Sequence, residues 1–154
     1  MPNLDDIVWA AITFRNINVI PRACSYNHAY LSIVVGNNRF LETLRYHPQD
    51  LNFNDVRNIF VEFLNKWGCR LRNYDNVTAS NLKNHIVDVH SKFLPIQNYS
   101  ILHFDLDAPE NRERVEHIFN SFWFYGSNIA KSFGPTATSK TIHIINPNLF
   151  IMWD

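Results

Sequence analysis

Hydroxyl and basic side chains are concentrated near the end of the chain, at the predicted start of a short helix. Gly134 and Pro135 form a predicted tight turn between helices at 126–133 and 136–145. Backbone N–H groups at a helix N-terminus bind phosphate because the helix dipole favours an anion there. The side chains in the first turns of the second helix are Thr136, Thr138, Ser139 and Lys140. They predict an anion site. A turn of this kind is equally typical of an ordinary connection between helices, and Ser139 and Lys140 are also typical of a solvated helix face.

Histidines, cysteines and carboxylates elsewhere give weaker signals for chemistry. His103, Asp105 and Asp107 alternate, so on a strand they would share one face and could offer a metal three ligands. Asp107 is also placed to cap a helix, which is the commoner role, and we predict no metal site. Cys24 and Cys69 have neither zinc nor disulfide spacing and are predicted to be reduced core residues. Nothing in the sequence resembles a Ser-His-Asp or Cys-His nucleophile system.

Helices must position all of these residues, because apolar side chains recur at helical spacing through most of the chain. Upstream of the hairpin, helices are predicted over residues 29–35, 40–46, 54–67 and 78–93 and from residue 107 onward. The last of these starts with an acidic N-cap at Asp107 and a proline in the first turn. Gly68 is predicted to stop the 54–67 helix, and Asn146-Pro147 the final one. Alternating apolar residues over 101–106 predict one short strand.

Composition indicates one folded domain. The chain has 154 residues, of which 46% are hydrophobic, and its twelve Phe, six Tyr and four Trp favour a packed aromatic core. Fourteen basic residues balance fourteen acidic ones, so any site for a polyanion must be a local patch. The fold class is therefore predicted to be mainly α: a compact multi-helix domain over 1–154 with a C-terminal helix-hairpin-helix at about 126–146.

The first residues of the chain and the lengths of its apolar runs bear on location. Asp5 and Asp6 stand where a secretion signal carries positive charge, and no run approaches the roughly 20 apolar residues that span a bilayer. We therefore expect a cytoplasmic, intracellular monomer that makes no membrane contact.

The segment from Ser132 to Asp154 resembles the hairpin of helix-hairpin-helix DNA glycosylases together with the loop that carries their catalytic aspartate. Gly134 matches a hairpin glycine, Ala137 the small residue of the next helix, and Asp154 the catalytic carboxylate. Family members that also cut the strand have a nucleophilic lysine where this chain has Pro135 and Thr136. The resemblance therefore implies a monofunctional glycosylase, which hydrolyses the N-glycosidic bond of a modified or damaged base with water and without a cofactor.

The resemblance also suggests roles for residues. Excision passes through a cationic sugar, so a carboxylate at Asp154 would stabilise that charge and orient water. The expected partner is duplex DNA with a modified base, and the predicted DNA-binding residues are Lys131, Gly134, Thr136, Thr138, Ser139, Lys140 and His143. The base must leave the stack, and the aromatic candidates to hold it are Tyr26, Tyr30, Trp123, Tyr125 and Trp153. The alternative is a non-catalytic helical binding module for nucleic acid or a protein partner. A third reading is a helical protein whose exposed aromatics bind a partner, which predicts no DNA affinity and an exposed apolar patch.

Overall fold

A computed structural model of the chain describes residues 33–71, 75–129 and 133–151. Residues 33–36 are helical, and Asn37 separates them from helix α1. We number the helices α1 (Asn38–Tyr46), α2 (residues 53–66), α3 (Asn76–Phe93), α4 (Pro109–Ile129) and α5 (Pro135–Ile145), with short 3₁₀ turns at Pro48–Asp50 and Leu94–Ile96. The described residues contain no strand, so the mainly α class is confirmed.

The strand predicted over 101–106 is wrong. Residues 101–103 form a turn, closed by a hydrogen bond from the His103 N–H to the Ser100 carbonyl at 2.9 Å. The Ile101 N–H donates to the Asn148 carbonyl at 2.9 Å, which ties this turn to the segment after α5. The alternating apolar residues belong to a loop in which single side chains are buried, such as Phe104 at 7% exposure. Among the described residues, no neighbouring strand is present to pair with this segment.

The start of α4 uses a different carboxylate from the predicted one. Asp105 Oδ1 accepts hydrogen bonds from the N–H groups of Asp107 and Ala108, at 2.9 and 3.3 Å. The side chain of Asp107 is 93% exposed and lies 4.0 Å from Arg112. The prediction that Asp107 caps α4 is therefore wrong, and Asp105 closes a local turn just before the helix begins at Pro109.

Helix α4 runs further than the sequence predicted. It continues through Gly126 to Ile129, so the short separate helix predicted at 126–133 is wrong. A single glycine inside a helix costs only about 1 kcal/mol relative to alanine, which tertiary packing readily offsets. Residues 130–132 lie outside the described part, and residues 133–134 lead into α5. The predicted helix at 136–145 and its stop at Asn146 are confirmed.

Helix α2 contains a π-helical turn and ends in a defined C-cap. It is α-helical at Phe53–Asp55, π-helical at Val56–Val61 and α-helical again at Glu62–Lys66. Gly68, with φ 85°, donates to Asn65, and Cys69 donates to Leu64, at 3.0 and 2.9 Å. This pair of bonds is a Schellman motif, and it confirms the predicted stop at Gly68.

Helix α5 lies at the centre of the fold. It packs against α1, α2 and α4, and eight of its eleven residues are buried. The core around it includes side chains with no exposed surface, among them Leu44, Phe60, Leu64, Phe122 and Ile144. The polar groups of a helix that is buried on all sides must find hydrogen-bond partners inside the protein. This requirement limits which of the predicted site residues on α5 can contact a ligand. Within the described residues, no helix is long and apolar enough to cross a membrane.

Candidate functional site

The N-terminus of α5 follows a turn with extended backbone. Gly134 is the N-cap residue, at φ −87° and ψ −166°, and Phe133 before it is 2% exposed. Pro135 has no N–H group, and the first backbone hydrogen bond in the helix runs from the Thr138 N–H to the Gly134 carbonyl at 3.1 Å. Among the described residues no side chain caps this helix. The N–H groups of Thr136 and Ala137 are therefore the donors that this helix end offers to a ligand.

Gly134 leaves room at this helix end. A Cβ atom built at Gly134 meets no other atom within 4 Å, and its φ is negative, so the protein itself does not require a glycine here. The residue is half-buried and the following proline is exposed. Among the described residues, apart from its two neighbours in the chain, no side chain therefore covers the Cα of Gly134.

Three of the predicted phosphate-binding side chains face the protein interior. Thr138 and Ser139 have no exposed surface, and Lys140 is 2% exposed. Ser139 Oγ donates to the Thr136 carbonyl at 3.0 Å. The expectation of a solvated helix face is wrong, because α5 is covered on all sides. In this conformation the three side chains do not reach a phosphate at the protein surface, and the backbone of the first turn remains as the donor.

Lys140 connects α5 to the end of α2. Its Nζ donates to the Trp67 carbonyl at 2.7 Å and lies 5.3 Å from the centroid of the Trp67 ring. Trp67 is the C-cap residue of α2, where carbonyl groups lack partners within the helix and the dipole favours a cation. The ammonium also gains a cation–π contact with the indole. Lys140 therefore anchors α5 in the fold.

His143, one turn after Lys140, is held from the other side. Its Nδ1 donates to the Phe150 carbonyl at 2.6 Å, and its ring lies 6.2 Å from the Trp67 ring, edge to face. Burial lowers the pKa of His143, the hydrogen bond to Phe150 acts in the opposite direction, and the charge of Arg45 lowers the pKa further. His143 is therefore uncharged near neutral pH, and its predicted role in DNA binding gains no support from a positive charge.

A pH dependence of stability follows from this lowered pKa. His143 binds a proton more weakly in the folded state than in the unfolded chain, and so does His85, whose pKa burial also lowers. Stability is then present in full above about pH 6.5 and declines as the pH falls toward the folded-state pKa. We expect the free energy of unfolding in urea to be lower at about pH 5.5 than at about pH 7.5. The His143→Gln variant should show a smaller difference, and an unchanged difference would contradict this account.

The segment after α5 is fixed by hydrogen bonds. Asn146 is 4% exposed, and its Nδ2 donates to the Ile96 carbonyl at 3.1 Å. The Phe150 N–H donates to the Asn146 carbonyl at 3.1 Å, and the Phe150 ring packs edge to face on Phe93 at 5.9 Å. These contacts hold the chain as far as Phe150. The predicted catalytic residue, Asp154, lies four residues further on, outside the described residues.

The predicted aromatic base pocket is not assembled by the described residues. Trp123 and Tyr125 are two residues apart on α4, so they project from nearly opposite sides of that helix. Tyr125 stacks on His85 with centroids 3.9 Å apart and planes within 3°, and burial raises its pKa to about 12. Trp123 is 38% exposed and lies 6.0 Å from Phe119. Trp123 and Tyr125, both candidates for the base pocket, therefore do not face one common pocket. Four further predicted site residues lie outside the described part: Tyr26, Tyr30, Lys131 and Trp153.

The alternative metal site receives no support. Within the described residues no group of three potential ligands is close enough to hold a metal ion. Asp105 is occupied in the turn before α4, and His103 Nδ1 pairs with Ser100 Oγ at 2.9 Å. Cys69 is buried and not disulfide-bonded, as predicted, and Cys24 lies outside the described residues.

Two features were missed by sequence reasoning. A cleft of about 660 Å³ lies between α1 and residues 47–59, and none of the predicted site residues lines it. A polar cluster formed by Lys92, His117 and Ser121 lies between α3 and α4. The i, i+4 spacing of His117 and Ser121 on one helix was a usable signal for the second feature, whereas the position of Lys92 depends on how the helices pack. Comparisons of the chain with family models, with curated proteins and with solved structures find no match.

Proposed function

We propose that this protein binds DNA through the N-terminus of α5, with α4, the turn at Gly134 and α5 acting as a helix-hairpin-helix unit. The observation that carries the proposal is the start of α5, where the backbone is extended and no described side chain caps the helix. A phosphate oxygen would accept hydrogen bonds from Thr136 and Ala137 and take the place of the missing cap.

The burial of α5 supports this role. Lys140 fixes one side of the helix to the Trp67 carbonyl, and Arg45 Nε donates to the Ile144 carbonyl at the other end, at 3.0 Å. A helix held at several points presents its N–H groups in a fixed direction and loses little entropy when a ligand binds. The buried polar residues of α5 therefore serve the site by positioning it.

The distribution of charge is compatible with a local contact. The acidic residues Asp107, Glu110, Glu113 and Glu116 are exposed near the start of α4. Helix α4 has 21 residues, which corresponds to a length of about 30 Å. The hairpin follows the opposite end of α4. Electrostatic repulsion between these carboxylates and DNA bound at the hairpin is therefore weak, because salt at ordinary concentration screens charges over about 10 Å.

A substitution at Thr136 tests this contact. Thr136→Asp places a negative charge in the first turn of α5, which stabilises the helix by about 0.3 to 1 kcal/mol and repels a phosphate. We expect DNA affinity to fall about tenfold or more while thermal stability is kept or raised. The matched control is Thr136→Asn, which has a similar shape and no charge.

The two variants separate the proposal from loss of folding. Affinity measured by fluorescence anisotropy should fall with Thr136→Asp, and remain close to that of the unmodified protein with Thr136→Asn. Equal affinities in all three proteins would overturn binding at the N-terminus of α5.

Base excision is the finer part of the proposal. In this account Asp154 orients a water molecule and stabilises the cationic sugar after the hairpin has bound the backbone. Its support in the structure is the anchoring of residues 146–150, which precede Asp154, by hydrogen bonds to Ile96 and His143. A catalytic carboxylate needs a supporting segment of this kind, because small displacements reduce catalysis strongly.

A second candidate function is a binding module for a protein partner. Phe124 is 74% exposed and its neighbour Trp123 is 38% exposed, both on α4. Large exposed aromatics are enriched at protein interfaces. This candidate predicts no DNA affinity in the unmodified protein, which the anisotropy measurement also determines.

A further inference from the structure

We propose that Lys92, His117 and Ser121 form a site for a phosphate group where α3 and α4 pack together. Lys92 Nζ contacts His117 Nε2 and lies 3.5 Å from Ser121 Oγ. The lysine belongs to α3, and the other two residues are one turn apart on α4. The packing of the two helices thus brings together an ammonium, an imidazole and a hydroxyl.

The protonation of the cluster leaves several donors for a ligand. An ammonium can only donate, so His117 Nε2 accepts from Lys92. Lys92 has three donor positions, of which His117 and Ser121 take two. Its third N–H and the Ser121 hydroxyl are donors that a tetrahedral anion with several oxygens can engage, and His117 helps to hold the ammonium in place.

The positive charge of the cluster is that of Lys92, and the nearest carboxylates along the two helices are Asp88 and Glu113. Within the described part of the chain, no carboxylate makes an ion pair with Lys92 or His117. Asp88 is one turn before Lys92 on α3, yet Lys92 extends across to α4. Glu113, one turn before His117, is exposed, so solvent screens it.

His85 adds a fixed wall beside the cluster. Its ring is stacked on Tyr125 with centroids 3.9 Å apart. Burial lowers the pKa of His85, while the charge of Asp88 and a hydrogen bond to the Ser121 backbone act in the opposite direction, and the charge of Lys92 lowers it further. These contacts hold the α4 turn that carries Ser121 against α3, close to Lys92.

Phosphate is the ligand class that these groups fit best. Lysine binds phosphate as a point charge, and the Ser121 hydroxyl can donate to a second oxygen. Ser121 lies eight residues before the end of α4, a distance of about 12 Å along the helix. The site is therefore separate from the start of α5, and it does not rest on DNA binding by the hairpin.

The test is a titration of the full chain with inorganic phosphate, followed through the ring signals of His117 by NMR, with sodium chloride replaced so that ionic strength stays constant. We expect a saturable shift of these signals. The variant Lys92→Met keeps the aliphatic stem and removes the ammonium, and Ser121→Ala removes the hydroxyl. Affinity for phosphate should fall about tenfold or more in Lys92→Met and by a smaller factor in Ser121→Ala.

The matched control is Lys83→Met, because Lys83 is also half-buried on α3 but lies outside the cluster. It should bind phosphate like the unmodified protein. A response that does not saturate, or one that is equally strong in Lys92→Met, overturns the site.

A second titration distinguishes the source of the phosphate. If a short DNA duplex shifts the same His117 signals and competes with inorganic phosphate, the site binds a nucleic-acid backbone. If inorganic phosphate binds and the duplex leaves these signals unchanged, the site takes a free phosphate or a small phosphate ester. Thr136→Asp should leave phosphate binding at Lys92 intact, so failure of the hairpin proposal and failure of this site are distinguishable.

Discussion

Replacing Phe122 with alanine is expected to lower the free energy of unfolding by about 3 to 5 kcal/mol. Phe122 has no exposed surface, and its ring meets His85 at 5.1 Å and Phe93 at 6.3 Å, both edge to face. It therefore joins α3 to α4 at the level of the polar cluster. Truncation removes these contacts and leaves a cavity that close packing cannot readily fill. Unfolding in urea, followed by circular dichroism, measures the loss.

The chain offers a matched control two residues later. Phe124→Ala removes the same atoms from a side chain that is 74% exposed. We expect this variant to change the free energy of unfolding by less than about 0.5 kcal/mol. If the two variants were equally destabilised, the orientation of α4 described above would be wrong.

Replacing Asp154 with asparagine is expected to reduce base excision about 100-fold or more, and to leave DNA affinity nearly unchanged. Asparagine keeps the shape of the side chain, but it neither carries the charge that stabilises a cationic sugar nor accepts a proton from water. The measurement uses duplexes that each contain one modified base, treatment with alkali and separation on a gel. Product that appears only after alkali identifies a monofunctional enzyme.

Asp88→Asn is the control for this variant, because Asp88 is an exposed carboxylate on α3 and away from the hairpin. It should excise at the rate of the unmodified protein. Excision that survives in Asp154→Asn would remove this aspartate from the mechanism. If the unmodified protein binds DNA and excises none of the bases, the binding module is the better description.

Sequence periodicity was sufficient for most of the fold. The helices that became α2, α3 and α5 were predicted within two residues of their observed ends, because their apolar spacing and stops are local features. The π-helical turn at Val56–Val61 was not predictable, since it depends on how α2 packs rather than on its own residues. The strand over 101–106 failed because alternation alone does not show whether a partner strand exists.

The candidate site was predicted less completely, and α5 shows why. The run from Thr136 to Thr141 contains one charge and several hydroxyls, which is typical of a surface, yet most of it is buried. Lys140 reaches a carbonyl 73 residues earlier in the chain, and local sequence does not show a contact of that kind. The sequence did contain one signal that α5 is buried. Ile142, Ile144 and Ile145 lie on several sides of the helix, which indicates that α5 is central in the fold.

The most direct test of DNA binding by α5 is the change of backbone amide signals when a short duplex is added to the isotope-labelled protein. The account predicts that the amide signals of Thr136 and Ala137 shift the most, since these two N–H groups donate to the phosphate. It also predicts that those of Glu110 and Glu113, at the start of α4, stay in place. Shifts confined to the region of Trp123 and Phe124, or no shifts at all, would contradict binding through the N-terminus of α5.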